Sequence, residues 1–329
     1  MSEKSEIIKP YKRKQCFFEK AMQDTIDAVG ALHGIVCDYL STHISAAQND
    51  YKQKQRGIPM LATVLIDNIS CGEMEGEWGL SIYIEYNEKN ILLDTGASDL
   101  FAKNAKKLGK SIESVDYAVL SHAHYDHSDS IGLQFFKLNS HAPFFLRKGC
   151  QENCYAKKWI FHKYIGLPKH ILTDYRDRII YADRDYEIIP GVYLIPHKTP
   201  NLKMVGKRES MYRKEHHRWV YDDFSHEQSL VFRTQKGLVI FNSCCHGGVA
   251  NIINEVGATF PTEKVYGIIG GFHLFNKSEE EIKNVIQQIK DTGIHYVCTG
   301  QLHQRPVHIK ILKNGLGDIS TPAESWIAD

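Results

Sequence analysis

Several features are missing from this chain of 329 residues. No stretch reaches the roughly 18 consecutive apolar residues that a membrane-crossing helix needs. The start shows no charged-then-apolar leader with a cleavage site, so a cytoplasmic location is expected, with no membrane partner. Charge of one sign is lacking as well. Formal net charge is +1, and no global field draws the protein to a nucleic-acid polymer. There is no low-complexity tract and no internal repeat beyond a rough two-half symmetry. The 8 cysteines read as reduced thiols rather than a disulfide framework. Cys150 and Cys154 are spaced C-x3-C, but a structural zinc there would need two more ligands. Small buried apolar side chains are the plainer reading. A hydrophobic content of 43% is that of a soluble globular chain, and this length can bury one large core or two modest ones.

Residues 1–57 differ from the remainder. Phe18, Met22, Ile26, Val29, Leu32, Val36, Leu40 and Ile44 recur every three or four positions, the helical period. No proline interrupts residues 11–58, and Gly57-Ile58-Pro59 ends the segment. We read 1–57 as an N-terminal helical extension and 58–329 as the main domain. The apolar stripe of the extension must be covered, by the main domain or by a second subunit, so a homodimer through these helices is one expectation.

From Met60 onward short apolar runs alternate with turns. Strands are expected at Met60–Ile69, Leu80–Tyr86, Ile91–Leu93, Tyr117–Leu120, Ala142–Leu146, Lys264–Ile269 and His295–Thr299, with one or two more within Tyr186–Ile195. Gln228–Arg233 and Leu238–Asn242 read as a hairpin. Helices are expected at Asp99–Leu108, capped by Ser98 or Asp99, at Gly248–Val256, and at Ser278–Asp291 with Ser278 and Glu281 as a capping box. Residues 196–226 lack a clear period and are rich in lysine and arginine. They read as a long loop, either a basic lid favouring an anionic substrate or a solvated segment.

The strongest motif is Ser121-His122-Ala123-His124-Tyr125-Asp126-His127, His-x-His-x-Asp-His directly after a strand. Neutral imidazoles and a carboxylate suit zinc, manganese or iron. His122 and His124 alternate as in an extended segment, so both can face one ion. Asp126 and His127, on the turn beyond, can reach a second. His246 and His273 follow strands on glycine-bearing turns, Cys245-His246-Gly247-Gly248 and Gly270-Gly271-Phe272-His273, the same context as the first cluster.

This motif resembles that of the metallo-β-lactamase superfamily, mostly two-metal hydrolases on an αβ/βα sandwich, over roughly residues 58–320. Leu93-Asp94-Thr95-Gly96 is similar to the family's strand-ending Asp-x-Gly element. Val64-Leu65-Ile66-Asp67-Asn68, Gly79-Leu80-Ser81, Ser243-Cys244-Cys245-His246-Gly247-Gly248 and Gly270-Gly271-Phe272-His273-Leu274 resemble the dihydropterin–aminobenzene ribotide-phosphate synthase subfamily. The resemblance implies two divalent ions, zinc first, with His122, His124 and His246 on one and Asp126, His127 and His273 on the other. It places Cys244 where many members have a bridging Asp, and His197 is a further candidate ligand. Asp94 is expected behind a ligand histidine, accepting its other N–H, or as a turn former. Asp126 can serve as general base while ligating. Asn68 and Glu77 fall where the subfamily has polar pocket residues, Arg147 and Lys148 could hold a phosphate, and His303 is a further substrate candidate. Two subfamily histidines are replaced, by Trp78 and Val297.

Taken together these readings favour a binuclear metal-dependent hydrolase, in which activated water attacks a phosphodiester or another phosphorylated, nucleotide-like ester. The alternative is the synthase, a transferase. A nuclease would want a basic RNA arm, and a flavin-linked di-iron enzyme would want Glu in place of His124. A binding protein with a degenerate site would have lost ligands, and none of the six is missing.

Overall fold

The alternation along the chain resolves into three apolar layers. The computed structural model describes residues 60–70, 74–128, 134–274 and 277–300, with the backbone of 326–328. The predicted extension over 1–57 and His303 lie outside the described residues. The first half runs β1 (Met60–Ile66), β2 (Ser81–Tyr86), β3 (Lys89–Leu93), α1 (Leu100–Lys107), β4 (Tyr117–Val119), α2 (Tyr125–Ser128), α3 (Phe136–Leu138), β5 (Phe144–Arg147), β6 (Tyr155–Lys158), β7 (Phe161–Tyr164), α4 (Ile171–Asp174) and β8 (Ile179–Ala182). The second runs β9 (Tyr186–Ile189), β10 (Val192–Pro196), α5 (Leu202–Glu209), β11 (Met211–Glu215), β12 (Arg218–Tyr221), β13 (Gln228–Thr234), β14 (Gly237–Asn242), α6 (Val249–Thr259), β15 (Val265–Gly271), α7 (Glu279–Asp291), β16 (Tyr296–Gly300) and β17 (Trp326–Ala328).

Two large sheets result, in the orders β17-β1-β2-β3-β4-β5-β8 and β16-β15-β14-β13-β10-β9. Each is mixed: β1, β2 and β3 pair antiparallel and β3, β4, β5 and β8 parallel, while β13 and β14 form the expected hairpin and β14, β15 and β16 run parallel. The period of two sends successive side chains to opposite faces. In β3, Ile91 and Leu93 enter the cluster between the sheets, and Leu92 enters the one that also holds Phe101 of α1. In β13, Leu230 and Phe232 face the first sheet while Val231 packs with Ile252 of α6 and Ile286 of α7. This is the αβ/βα sandwich. The α7 capping box forms as expected, Ser278 accepting from the Glu281 N–H and Glu281 from that of Ser278. At α1 the serine does the work: Ser98 Oγ accepts the Leu100 N–H at 3.2 Å, and Asp99 makes no side-chain cap bond.

The expectation of a long loop over 196–226 is corrected. That span contains α5, β11 and β12, and the two strands join β6 and β7 in a four-stranded sheet of order β12-β11-β6-β7. These strands are short and charged, with no apolar alternation to betray them. Cross-strand aromatic contacts hold them instead: His162 stacks on Trp219 at 3.8 Å, Tyr155 meets Trp219 at 4.9 Å and Tyr212 meets Tyr221 at 5.0 Å.

Candidate metal centre

Asp94, fully buried where β3 ends, ties three loops together. Its Oδ1 accepts the Ser121 N–H at 2.7 Å, and its Oδ2 accepts the hydroxyls of Ser121, at 2.6 Å, and Ser243. His127 Nδ1 lies 2.9 Å from the same Oδ2. The residue holds φ +57°, an uncommon value for a non-glycine, and these side-chain bonds over-determine it. The network also sets tautomers. Ser121 gives its hydrogen to Asp94, so its oxygen accepts from His122 Nδ1 at 2.8 Å, leaving His122 Nε2 to face the cluster. His127 likewise donates Nδ1–H to Asp94, the arrangement that orients a ligand imidazole.

The structure brings the five predicted histidines together. Ring centroids lie 4.3 Å apart for His122 and His127, 4.6 Å for His122 and His124, 5.1 Å for His124 and His246, and 4.6 Å for His246 and His273. Asp126 Oδ2 is 3.5 Å from His127 Nε2. Cys244 Sγ is 3.4 Å from the same nitrogen and also groups within 4.8 Å of ligand atoms of His122 and His246. Cys244 therefore lies near predicted ligands of both sets, His122 and His246 of one and His127 of the other. A ring nitrogen of His124 groups instead with Cys154, Asp222 and His226.

The donor set fits divalent cations. Nε2 of His122, His124 and His246 is buried with no hydrogen-bond partner, a costly state for a lone pair unless an ion takes it. Burial, followed by the neighbouring imidazoles, pushes the pKa of His122 and His246 well below the ordinary range; burial does the same at His124 against the pull of Asp222. All three are therefore neutral, as metal binding requires. Glycine shapes the loops. At Gly79 (φ +140°) a Cβ would lie 2.0 Å from the Asp126 carbonyl oxygen, and at Gly270 (φ +145°) 1.5 Å from that of Asn242.

Several substrate candidates make hydrogen bonds or ion pairs within the fold. Glu77 accepts the N–H groups of Ala97 and Ser98 at 3.0 and 3.1 Å and the Ser98 hydroxyl at 2.6 Å, closing the loop after Asp94. Asn68 Oδ1 accepts the Gly79 N–H at 2.8 Å, fixing the glycine under Asp126. Arg147 donates to the Ala182 carbonyl at 2.8 Å, and Lys148 pairs with Asp183 at 2.9 Å on the exposed surface. His197 is held between Glu227, 3.1 Å from Nδ1, and Ser229 and Asn242 at Nε2, outside the cluster. Val297 is buried in the outer core, so its departure from the subfamily concerns packing rather than substrate. Sequence reasoning missed Asp222, His226, Glu209 and Glu227. Asp222 and His226 stand four apart just before β13, a strand-edge pairing that was the available signal. Glu227 accepts the His246 N–H at 3.1 Å, and buried Glu209 comes within 3.7 Å of His273 Nε2.

The metallo-beta-lactamase superfamily model matches residues 79–129, from Gly79 through the histidine motif. The chain is 28% identical over 233 residues to the 7,8-dihydropterin-6-methyl-4-(beta-D-ribofuranosyl)-aminobenzene-5'-phosphate synthase of Methanocaldococcus jannaschii, covering 68% of this chain and 79% of that protein. Among solved structures it is similar to Tm1679, described as a metal-dependent hydrolase of the beta-lactamase superfamily, with a TM-score of 0.65, 26% identity, and 82% of this chain and 98% of that one covered. The metallo-beta-lactamase fold protein YhfI from Bacillus subtilis shares the fold at a TM-score of 0.50 and 12% identity, over 82% of this chain and 100% of that one.

Proposed function

We propose that this chain, like the metallo-β-lactamase-superfamily proteins it resembles, is a binuclear metal-dependent hydrolase of a small anionic substrate, a phosphodiester or other phosphorylated, nucleotide-like ester. The observation that carries this is the set of three neutral, buried imidazoles whose Nε2 atoms lack partners, beside the carboxylates of Asp126 and Asp94. His122, His124 and His246 would hold one cation and Asp126, His127 and His273 the other, with Cys244 near ligands of both. Two divalent cations held there, zinc first and manganese or iron as alternatives, would activate a water and would neutralise charge on the substrate. Asp94 keeps His127 in the tautomer whose Nε2 faces Asp126 and Cys244. Asp126, whose carboxylate lies within 3.5 Å of His127, would be placed to take the proton from a water activated there.

A cavity of about 230 Å³ is lined by His246, His273, Arg208 and Lys277 among others. Glu209 orients both cations, at 3.0 Å from Arg208 and 3.3 Å from Lys277. They offer an anionic group two charged donors, which supports a phosphorylated substrate. A second reading, a synthase joining a dihydropterin to an aminobenzene ribotide, is favoured by the name of the archaeal relative.

Metal content by plasma mass spectrometry, on the parent and on a His124→Ala/His246→Ala double variant, tests the centre. About two ions in the parent and clear loss in the variant are expected, with metal-dependent cleavage of bis(p-nitrophenyl) phosphate by the parent alone. A parent that binds no metal and cannot be reloaded overturns the proposal. A metal-loaded parent that cleaves no ester but couples the pterin and aminobenzene partners selects the synthase.

A further inference from the structure

A second buried knot of polar side chains adjoins the centre. His124, Cys154, Asp222 and His226 each bring a nitrogen, sulfur or oxygen within 4.8 Å of the others. His226 Nδ1 accepts the N–H of Ala123, the residue between His122 and His124, at 3.2 Å. The ring's proton is then on Nε2, which lies 3.2 Å from Asp222 Oδ2 and 3.7 Å from Cys154 Sγ. Asp222 Oδ1 accepts the Phe224 N–H at 2.9 Å. Burial disfavours a charged His226, but Asp222 and then Cys154 outweigh it and raise its pKa well above the ordinary value. The Ala123 N–H decides the matter, because a second proton on Nδ1 would point at it.

This geometry removes two chemistries. A cation on His226 Nε2 would require a proton on Nδ1, where Ala123 already donates. A Cys–His–Asp nucleophile needs thiol and carboxylate on opposite ring nitrogens, and here both meet Nε2. What remains is a support. Asp222 directly follows β12, and a Cβ at Gly206 of α5 would lie 2.2 Å from the Asp222 carbonyl oxygen, so the four-stranded lobe sets its position.

We propose that Asp222 and His226 are positioning residues for metal binding: His226 clamps the backbone between two ligand histidines, and Asp222, anchored by His226, receives the N–H that His124 carries opposite its metal-binding nitrogen. The inference rests on the metal-dependent reading of the site. It explains why His124 is drawn toward Asp222 while its ring remains packed on His122 and His246. A carboxylate behind a ligand imidazole fixes its orientation and raises its basicity, and losing one typically weakens metal binding about 10–100-fold.

Three variants separate the parts. Asp222→Asn removes the charge. In His226→Asn the amide oxygen can replace Nδ1 as acceptor for Ala123 but cannot reach Asp222. In His226→Gln the longer amide can reach Asp222 but gives up Ala123. Zinc affinity is measured by chelator competition, and amide hydrogen exchange at Ala123 and the melting temperature are measured on metal-free protein. We expect zinc binding to weaken about 10–100-fold in all three with metal-free melting little changed. Ala123 should be protected in the parent and in His226→Asn but exchange freely in His226→Gln. Unchanged zinc affinity in Asp222→Asn, or equal Ala123 exchange in parent and His226→Gln, overturns the clamp. So does a loss of affinity matched by an equal loss of metal-free stability. A parent that binds no zinc sinks the hydrolase reading, and the Ala123 exchange still decides whether the His226 contact exists.

Discussion

The sandwich and the four-stranded lobe hold themselves together by different means. In the sandwich, Ile84, Leu194, Phe232 and Phe241 are wholly buried between two sheets, and central strands such as β3 and β13 alternate between core faces. In the lobe, β6, β7, β11 and β12 bury little. Trp219 is 40% exposed, and Trp159 at the β6–β7 tip is 86% exposed. Aromatic stacking and ion pairs carry the lobe, with Arg213 reaching Asp223 at 3.0 Å and Glu215 at 3.1 Å. The six predicted ligands lie on segments that follow sandwich strands, Asp126 and His127 within the short α2, and those strands cannot shift without opening a packed core. The lobe and its flanks supply what surrounds them, including Asp222, Glu209 and Arg208. Rigid strands thus hold the ligands, and the polar lobe props them and lines the cavity.

Substitutions can break this contrast. The largest effect is expected from Gly270→Ala, where the new Cβ would meet the Asn242 carbonyl at 1.5 Å across the β14–β15 pair in a left-handed backbone. A loss of about 4 kcal/mol or more, read as failure to fold or a collapsed denaturation midpoint, is the expected result. Phe232→Ala should cost about 3–5 kcal/mol by leaving a cavity between the sheets. The matched change in the lobe, Trp219→Ala, should cost only about 1 kcal/mol, since it removes ring contacts near solvent. Urea titrations of the two variants side by side check this, and equal losses would erase the distinction between the regions.

The smallest effect sharpens the comparison within the sandwich. Ser278→Ala removes the cap of α7 and should cost about 1 kcal/mol, far less than a core truncation. Part of the capping box is pH-dependent. The Ser278 N–H and then its hydroxyl hold the Glu281 carboxyl below its ordinary pKa. A depressed folded value contributes stability above the unfolded value of about 4.3, and that help fades as pH falls through the folded value. Glu281→Gln should therefore differ from the parent at neutral pH, and the difference should shrink as the pH falls below the ordinary carboxyl range, as checked by thermal melts from neutral to acid pH.

Most of the sandwich was legible because its strands are short apolar runs bounded by turns, and the β13–β14 hairpin and the α7 capping box carry local chemistry that needs no distant partner; the half-exposed edge strand β8 was not expected. The His-x-His-x-Asp-His motif was legible for the same reason: its spacing alone aims several ligands from one turn. The lobe was not, because β11 and β12 read as charged and aperiodic, and their partners β6 and β7 lie some fifty residues earlier. Glu77 and Asn68 were read as pocket residues because they are polar and near the motif, whereas the backbone N–H groups they serve are visible only in the fold.

The sequence by itself determined the chemistry of the centre. It specified neutral nitrogen and carboxylate donors at strand ends, a carboxylate at Asp94, and glycines where the loops must turn. Only the tertiary structure decided which groups support that centre. Asp94 meets Ser121, Ser243 and His127, and His226 meets Ala123, from three separate loops and a strand edge. The physical reason is range. Periodicity, capping and ligand spacing act within a few residues, whereas the hydrogen bonds that fix a tautomer or hold a loop join residues up to 149 positions apart, and folding alone brings them together.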